Sequence, residues 1–515
     1  MRTSVALLLL LAACDRPPSA PAPQVEGPFR LGERVAWIDR THGRAHLLDP
    51  TVTPPKTQVA KLPPGATFIG QTKARDALFV LTPGREARRR DDKPEAPALT
   101  VVRPSAEGLD ASRVYPLAAP FDRVAIGADG RAAVAYFSEG ASSDAYFRNP
   151  NELALIDLSA PAGDQNPIFR TIRSLGASPA GVLISPPLKL AGRERSILVV
   201  VARGYLTLLD LDRRDRPEIT VPLGSPESAA KIVPEEVVFD PPTATLFVRA
   251  QGTADLFALT LEARPGATPA QNDFSLRINQ PSTGKSALGL SLIDDGERRI
   301  LLTANASQDL TMVDTVTGEF ATLRVGVPID TVLLMPPEAP RLAVLWNRRS
   351  PRAEVHLLAI PNLSTRFERA LERRTLARAA RDLIPVPGGT QLLVVHDDAR
   401  TVISVLDLGA RRTDTPILGR IPLGSFDFTS GGFLVGVSTG LARLGALDLA
   451  NLHPSDLRLD HDPKRVVAVG DRLVIDHGAA EGLVTVVPRP TATREEARVV
   501  WGFFAQGVFD RRQGE

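Results

Sequence analysis

The chain has 515 residues, Lys plus Arg 61 against Asp plus Glu 59, a formal net charge of +2 and only 5% aromatic residues. Charges so balanced give no global field to draw in nucleic acid or an anionic surface, and so few aromatics disfavour stacking platforms for single strands or sugars. One cysteine excludes a disulfide framework and a thiolate metal cluster, while 45 Pro and 39 Gly spread along the chain imply many turns between short elements.

At the start, Met1-Arg2-Thr3-Ser4 leads into an apolar run from Val5 to Leu11 and then Ala12-Ala13-Cys14. A charged start, a short apolar segment and small residues before a cut site make a secretory signal, and the run is far too short to span a bilayer. Leu11-Ala12-Ala13-Cys14 resembles the lipobox of bacterial lipoproteins. The resemblance implies loss of residues 1–13, diacylglyceryl transfer to the Cys14 sulfur and acylation of the new amino terminus. Each buried CH₂ contributes roughly 0.8 kcal/mol, so two or more acyl chains anchor durably where one binds reversibly. Asp15 after the cysteine resembles the signal that retains enterobacterial lipoproteins in the inner membrane.

From Asp15 to Pro28 the chain carries Pro17, Pro18, Pro21, Pro23 and Pro28 without an apolar period. Such a stretch stays extended and semi-rigid. Residues 14–28 therefore read as lipidated cysteine plus tether, and 29–515 as the folded body. No later apolar run approaches the roughly 20 residues a membrane helix needs.

In the body one pattern recurs: apolar strand, turn, apolar strand, polar turn, then a strand ending apolar-apolar-Asp-Leu. Its clearest copy runs from Arg381 to Leu423, with strands at Leu383–Val386, Leu392–Val395, Val402–Leu408 and Ile417–Leu423, the first two joined by Pro387-Gly388-Gly389. Four strands in about 43 residues, joined by short loops, make one up-and-down sheet of the size of a propeller blade. Further third-strand anchors are Leu47–Asp49, Leu153–Leu158, Leu206–Leu211 and Leu444–Leu449, with degenerate versions at Leu99–Val102, Leu256–Leu261, Val355–Ile360 and Leu483–Val487.

Another copy, Ile300 to Gly318, resembles the YVTN-type repeat of bacterial surface and periplasmic propellers. That resemblance implies that Asn305 falls as a second strand ends and that Asp314-Thr315-Val316-Thr317-Gly318 ends the third and turns into the fourth. The expected fold is all-β, a β-propeller of roughly 8–10 four-stranded repeats in one large ring or two smaller ones. Val499 to Phe504 is the candidate closing strand against Val35–Ile38, with Trp37 and Trp501 both in the core. One stretch departs from the pattern. Thr365-Arg366-Phe367-Glu368 has capping-box spacing, and Phe367, Leu371, Leu376 and Ala379 continue at helical intervals, predicting a helix ending near Arg381 with Arg on its wet face.

Motifs that carry chemistry read structurally. Gly436-Val437-Ser438-Thr439-Gly440 matches the G-x-S-x-G nucleophile pattern, but strands flank it on both sides and a hairpin turn is expected. Thr283-Gly284-Lys285-Ser286 lacks the first glycine of a phosphate loop, where Asn279 stands, and a strand rather than a helix follows. Asp210, Asp212 and Asp215 offer hard oxygens at calcium-like spacing, yet Arg213, Arg214 and Arg216 intervene and no glutamate closes the loop. Of the seven histidines, His42, His46, His356, His396, His453, His461 and His477, only His42 and His46 are closely spaced, with no third ligand. Arg88-Arg89-Arg90 with Asp91, Asp92 and Lys93 reads as a self-compensating loop.

The reading therefore assigns lipidation to Cys14 and names no catalytic, cofactor-binding or metal-binding residue. It expects a membrane-anchored, periplasm-facing lipoprotein whose propeller binds or scaffolds an envelope protein, and leaves open whether it is an enzyme. In layout it resembles the propeller lipoprotein of the outer-membrane barrel-assembly machinery. The alternative is a lactonase-like hydrolase with carboxylates and Arg around the central channel, as in some propellers of the YVTN-like group.

Overall fold

In the computed structural model, the described residues are 23–505 apart from 86–93, 106–107, 139–148, 161–166, 173–178, 191, 230, 269, 282–286, 295–297, 306–307, 337–340, 361–370, 397–401 and 410–420. Short antiparallel sheets follow one another along the chain and form the blades of a ten-bladed propeller. Blades 1 to 10 span residues 25–61, 68–116, 123–171, 181–222, 233–279, 287–324, 331–375, 380–407, 425–458 and 465–501. Each has four strands, first to fourth from the axis outward, save blade 8, of which three are described. The first strands of neighbouring blades touch: that of blade 9 (Ser425–Phe428) meets that of blade 10 (Arg465–Val469), which meets that of blade 1 (Val25–Leu31). One ring results.

The core sits between blades. Ten apolar clusters are each shared by two successive blades, including the pair formed by the last and the first. A blade is thus covered on both faces, and its middle strands must be apolar on both. Ile197–Ala202 and Tyr205–Asp210, the middle strands of blade 4, are buried at every position. This is why the sequence shows unbroken apolar runs rather than strict alternation. Fourth strands meet water, and Phe320–Arg324 of blade 6 buries one residue in five.

All the anchor segments read from the sequence fall on third strands, for example Leu153–Leu158 on Glu152–Asp157 and Leu483–Val487 on the strand of the same bounds. The closing aspartate caps the turn that follows. The amide two residues on donates to Asp49, Asp157, Asp210, Asp314, Asp407 and Asp448, each at 2.9 Å. In four of the six the next residue is a leucine that drops back between blades: Leu158, Leu211, Leu408 and Leu449 are buried. Asn305 ends the second strand of blade 6 and Asp314 the third. At Gly436–Gly440 the second and third strands of blade 9 join in a hairpin whose tip, Gly440, has φ +83°.

Several expectations are corrected. No helix covers 371–381. Leu371–Thr375 is the fourth strand of blade 7 and Ala380–Pro385 the first of blade 8, while 361–370 lie outside the described residues. Of the strand expected over Ile417–Leu423, 417–420 lie outside the described residues and 421–423 join no sheet. Val25 already belongs to blade 1, so the folded body begins inside the stretch read as tether. An unforeseen hairpin, Leu188–Leu190 with Arg193–Arg195, is inserted after the first strand of blade 4, and Leu188 and Leu190 fill the junction with blade 5.

Ring closure differs most. Arg498–Trp501 pairs with Leu483–Val487 inside blade 10, and among the described residues no strand is exchanged between the ends. The seam is instead sealed by side chains. Phe503 and Phe504 pack edge-on against Trp37, with ring centroids 5.0 and 6.1 Å away, and against His46 at 5.6 and 5.2 Å. Trp37 is core as expected, but Trp501 is 63% exposed because it lies on an outer strand.

His46 holds a position that recurs three residues before the closing aspartate and is polar in most blades. Thr207, Thr311 and Ser404 occupy it elsewhere and are buried. They bond laterally, Thr207 to Thr220 at 3.3 Å, Thr311 to Thr322 at 3.4 Å and Ser404 to His396 at 2.7 Å. At the seam both ring nitrogens of His46 are buried without a hydrogen bond. Burial lowers its pKa from 6.5 to about 4, against the pull of Asp39. The unfolded chain then binds the proton first, so stability is full above pH 6.5 and falls as the pH drops toward 4. Urea unfolding at pH 7 and pH 4 is expected to cost the wild type about 3 kcal/mol more than His46→Leu. Phe503→Ala is expected to lower stability at pH 7 by about 3–5 kcal/mol, and Trp501→Ala by less than about 0.5.

Candidate functional site

Four polar or charged side chains on the first strands of blades 5, 9 and 10, nearest the axis, are engaged in one repeated way. Glu236 of blade 5 accepts the Leu290 amide of blade 6 at 3.1 Å. In blade 9, Ser425 accepts the Val466 amide at 3.1 Å and Asp427 the Ala468 amide at 2.9 Å, both from blade 10. Arg465 of blade 10 donates to the Gly27 carbonyl of blade 1 at 2.7 Å. Each side chain thus satisfies the open backbone edge of the next first strand, which would otherwise lack a partner. Glu236 also takes Arg249 at 3.1 Å, and Asp427 lies 3.9 Å from Arg75.

Among the described residues, several concave surfaces lie between blades. A polar cleft of about 380 Å³ separates blades 3 and 4, lined by Asp129, Arg131 and Asp157 on one side and Glu194, Asp212 and Arg214 on the other. The acidic turn read from the sequence forms one wall, and its groups are tied down. Asp210 accepts the amides of Asp212 and Arg213 at 2.9 and 3.1 Å, and Asp212 accepts the Ser196 amide at 2.8 Å. Arg214 reaches back to Asp157 of blade 3 at 3.1 Å. Burial pushes Asp157 up, but the Ser159 hydroxyl and amide together with Arg214 outweigh it, and its pKa is lowered.

Beneath the cleft, Arg195 of the inserted hairpin joins two blades. It donates to Asp210 at 3.0 Å and, in a fork, to Asp273 of blade 5 at 2.6 and 2.9 Å. The fork holds Asp273 below the usual carboxylate range, while burial raises Asp210, whose side chain is wholly enclosed. Bonding to Asp273 raises Arg195, which stays a cation. No group of three or more His, Cys, Asp or Glu fit to hold a metal occurs among the described residues.

The histidines are dispersed. His42 bonds Asp39 at 2.7 Å, and His396 and His477 bond Ser404 and Thr485 at 2.7 and 2.8 Å. His356 and His477 are lowered by burial. The ring of His461 lies 5.7 Å from that of His477 and 6.3 Å from that of Trp501, at the rim of blade 10. Cys14, Thr283–Ser286 and the basic run Arg88–Lys93 lie outside the described residues. Sequence reasoning missed the grooves between outer strands of blades 4, 5 and 6, because each groove is formed by segments far apart in the chain.

No family model matches the chain, and no curated protein matches it. Among solved structures, a eukaryotic initiation factor is similar over 76% of this chain and 86% of its own, at 11% identity and a TM-score of 0.45. A dihydro-heme d1 dehydrogenase in complex with DHE covers 88% of this chain and 84% of its own, at 12% and 0.41. A 6-phosphogluconolactonase assigned by name only, from Bacteroides fragilis, covers 68% of this chain and 95% of its own, at 15% and 0.35. Likeness at this level speaks to neither activity nor ligand, and the ten-bladed ring rests on its own sheets.

Arg195→Ala is expected to destabilise the protein by about 3–5 kcal/mol, since it leaves Asp210 buried without its cation. The double variant Arg195→Met with Asp210→Asn recovers most of that loss, as read from urea midpoints.

Proposed function

We propose that this chain is a lipid-anchored envelope protein, attached through Cys14, whose ten-bladed ring is a binding or scaffolding platform for another envelope protein. Its blades, on this reading, belong with the YVTN-type repeats, and the ring faces the periplasm. The observation that carries the platform reading is the placing of polar and concave surface. Charges near the axis hold neighbouring strands together, Leu183, Leu288 and Phe426 of the first strands are exposed beside them, and the clefts open between blades 3 to 6. A ring of this kind presents rigid loop faces and a rim to a partner, in keeping with standard interfaces of about 800 Å² per side.

The anchor and the platform are tested separately. Cys14→Ser is expected to move the protein from the membrane fraction to the soluble fraction and to abolish incorporation of labelled fatty acid; an unchanged distribution overturns the anchor. Crosslinking in intact cells is expected to capture the same envelope proteins repeatedly. Recovery of the chain alone, over replicate captures, overturns the platform.

A further inference from the structure

The fourth strand of blade 5, Phe274–Asn279, pairs on one side with Phe257–Ala263 and is the last strand of its sheet. Its other edge has no partner strand among the described residues, so it offers a row of backbone donors and acceptors. Side chains along it alternate: Phe274, Leu276 and Ile278 on one face, Ser275, Arg277 and Asn279 on the other. Hollows flank both faces of this edge.

On the first face, Phe274, Leu276 and Ile278 line a groove of about 430 Å³ with Ile219 and Val221, from the outer strand of blade 4. At Ile278 and Pro222 the groove runs on into a second hollow of about 540 Å³, floored by Leu223, Ile232 and Phe257. On the second face, Arg277 and Asn279 border a cleft of about 340 Å³ against the turn Asp314–Gly318 of blade 6. A strand added to this edge would send alternate side chains into each.

The charge on the apolar side is one-signed. Arg264 stands where the groove begins, near Phe274, and Lys231 where it ends, near Gln280; among the described residues no acidic side chain lines either part. Neither cation forms an ion pair with the described residues. Ile278, between them, is 43% exposed, a large apolar side chain left in water.

We propose that the outer edge of blade 5 receives an extended peptide segment by strand addition, apolar at alternate positions over about six residues, with an acidic residue at each end. This rests on the platform reading and names its partner's chemistry. Main-chain bonds to the edge supply affinity, the groove selects the apolar side chains, and Arg264 and Lys231 select the carboxylates.

The test uses the detergent-solubilised full chain and a fluorescent synthetic peptide that alternates valine and threonine between terminal aspartates. Anisotropy is expected to show saturable binding that weakens at least about tenfold with Ile278→Asp, with thermal melting unchanged. Arg264→Glu combined with Lys231→Glu reverses the preference toward a lysine-ended peptide, and a peptide N-methylated on the edge-facing amides does not bind. Equal affinity for aspartate-ended and lysine-ended peptides, indifference to N-methylation, or undiminished binding by Ile278→Asp overturns the proposal. Crosslinking in cells separates the two levels. Partners captured equally by wild type and Ile278→Asp sink the blade 5 site and leave the platform standing, whereas no partner of the wild type sinks the platform itself.

Discussion

The structure depends on apolar packing between the flat faces of successive blades. A four-stranded sheet alone leaves two faces in water, and each face here is removed from water by the next sheet in the ring. At roughly 25 cal/mol per Å² of apolar area, this burial dominates the stabilisation, and no blade obtains it alone. The burial must also run all the way round. A gap at one junction would expose two faces at once, which is why the seam between blades 10 and 1 gathers Trp37, Phe503 and Phe504, among the bulkiest enclosed side chains of the molecule.

Polar groups are admitted on terms set by that packing. In blades 4 and 6 a neighbouring strand of the same sheet supplies the partner of a middle-strand hydroxyl, and where six third strands end, aspartate binds the turn that follows. Between first strands, side chains of one blade satisfy the backbone of the next. Arg195 does the same at larger scale, binding carboxylates of blades 4 and 5 with a single guanidinium. His46 breaks the rule. Its place in the repeat calls for a partner, and the aromatic seam provides none.

The repeat was legible because it is local. Third strands carry two adjacent apolar residues and usually a terminal aspartate, so each announces itself within six residues, and Asp49, Asp210 and Asp448 could be read without knowing the ring. Whether the sheets close in one ring or two depends on contacts between blades, which no local pattern encodes. The helix expected up to Arg381 failed for a physical reason: an outer strand with Glu372 and Arg373 in water and Leu376 buried mimics an amphipathic helix over so short a span. Trp501, expected in the core as part of a closing strand, stands exposed because its strand is the outermost of blade 10. The grooves beside Phe274–Asn279 need Ile219 of blade 4, Lys231 of the link to blade 5 and Asp314 of blade 6 brought together, and nothing in the linear order marks them.

The seam without strand exchange bears on how such a chain can change length. Where one blade is stitched from both chain ends, adding or losing a repeat must preserve that shared sheet. Here blade 1 is built wholly from the beginning of the chain and blade 10 wholly from the end. A gene segment encoding one complete blade can therefore be duplicated or dropped without splitting a sheet, although the side chains that join it to its neighbours, such as Arg195 with Asp273, must find new partners and the curvature of the ring must adjust. The same modularity makes the present termini one junction among ten, so a rearranged gene that opened the ring elsewhere would inherit every hydrogen-bonded sheet intact.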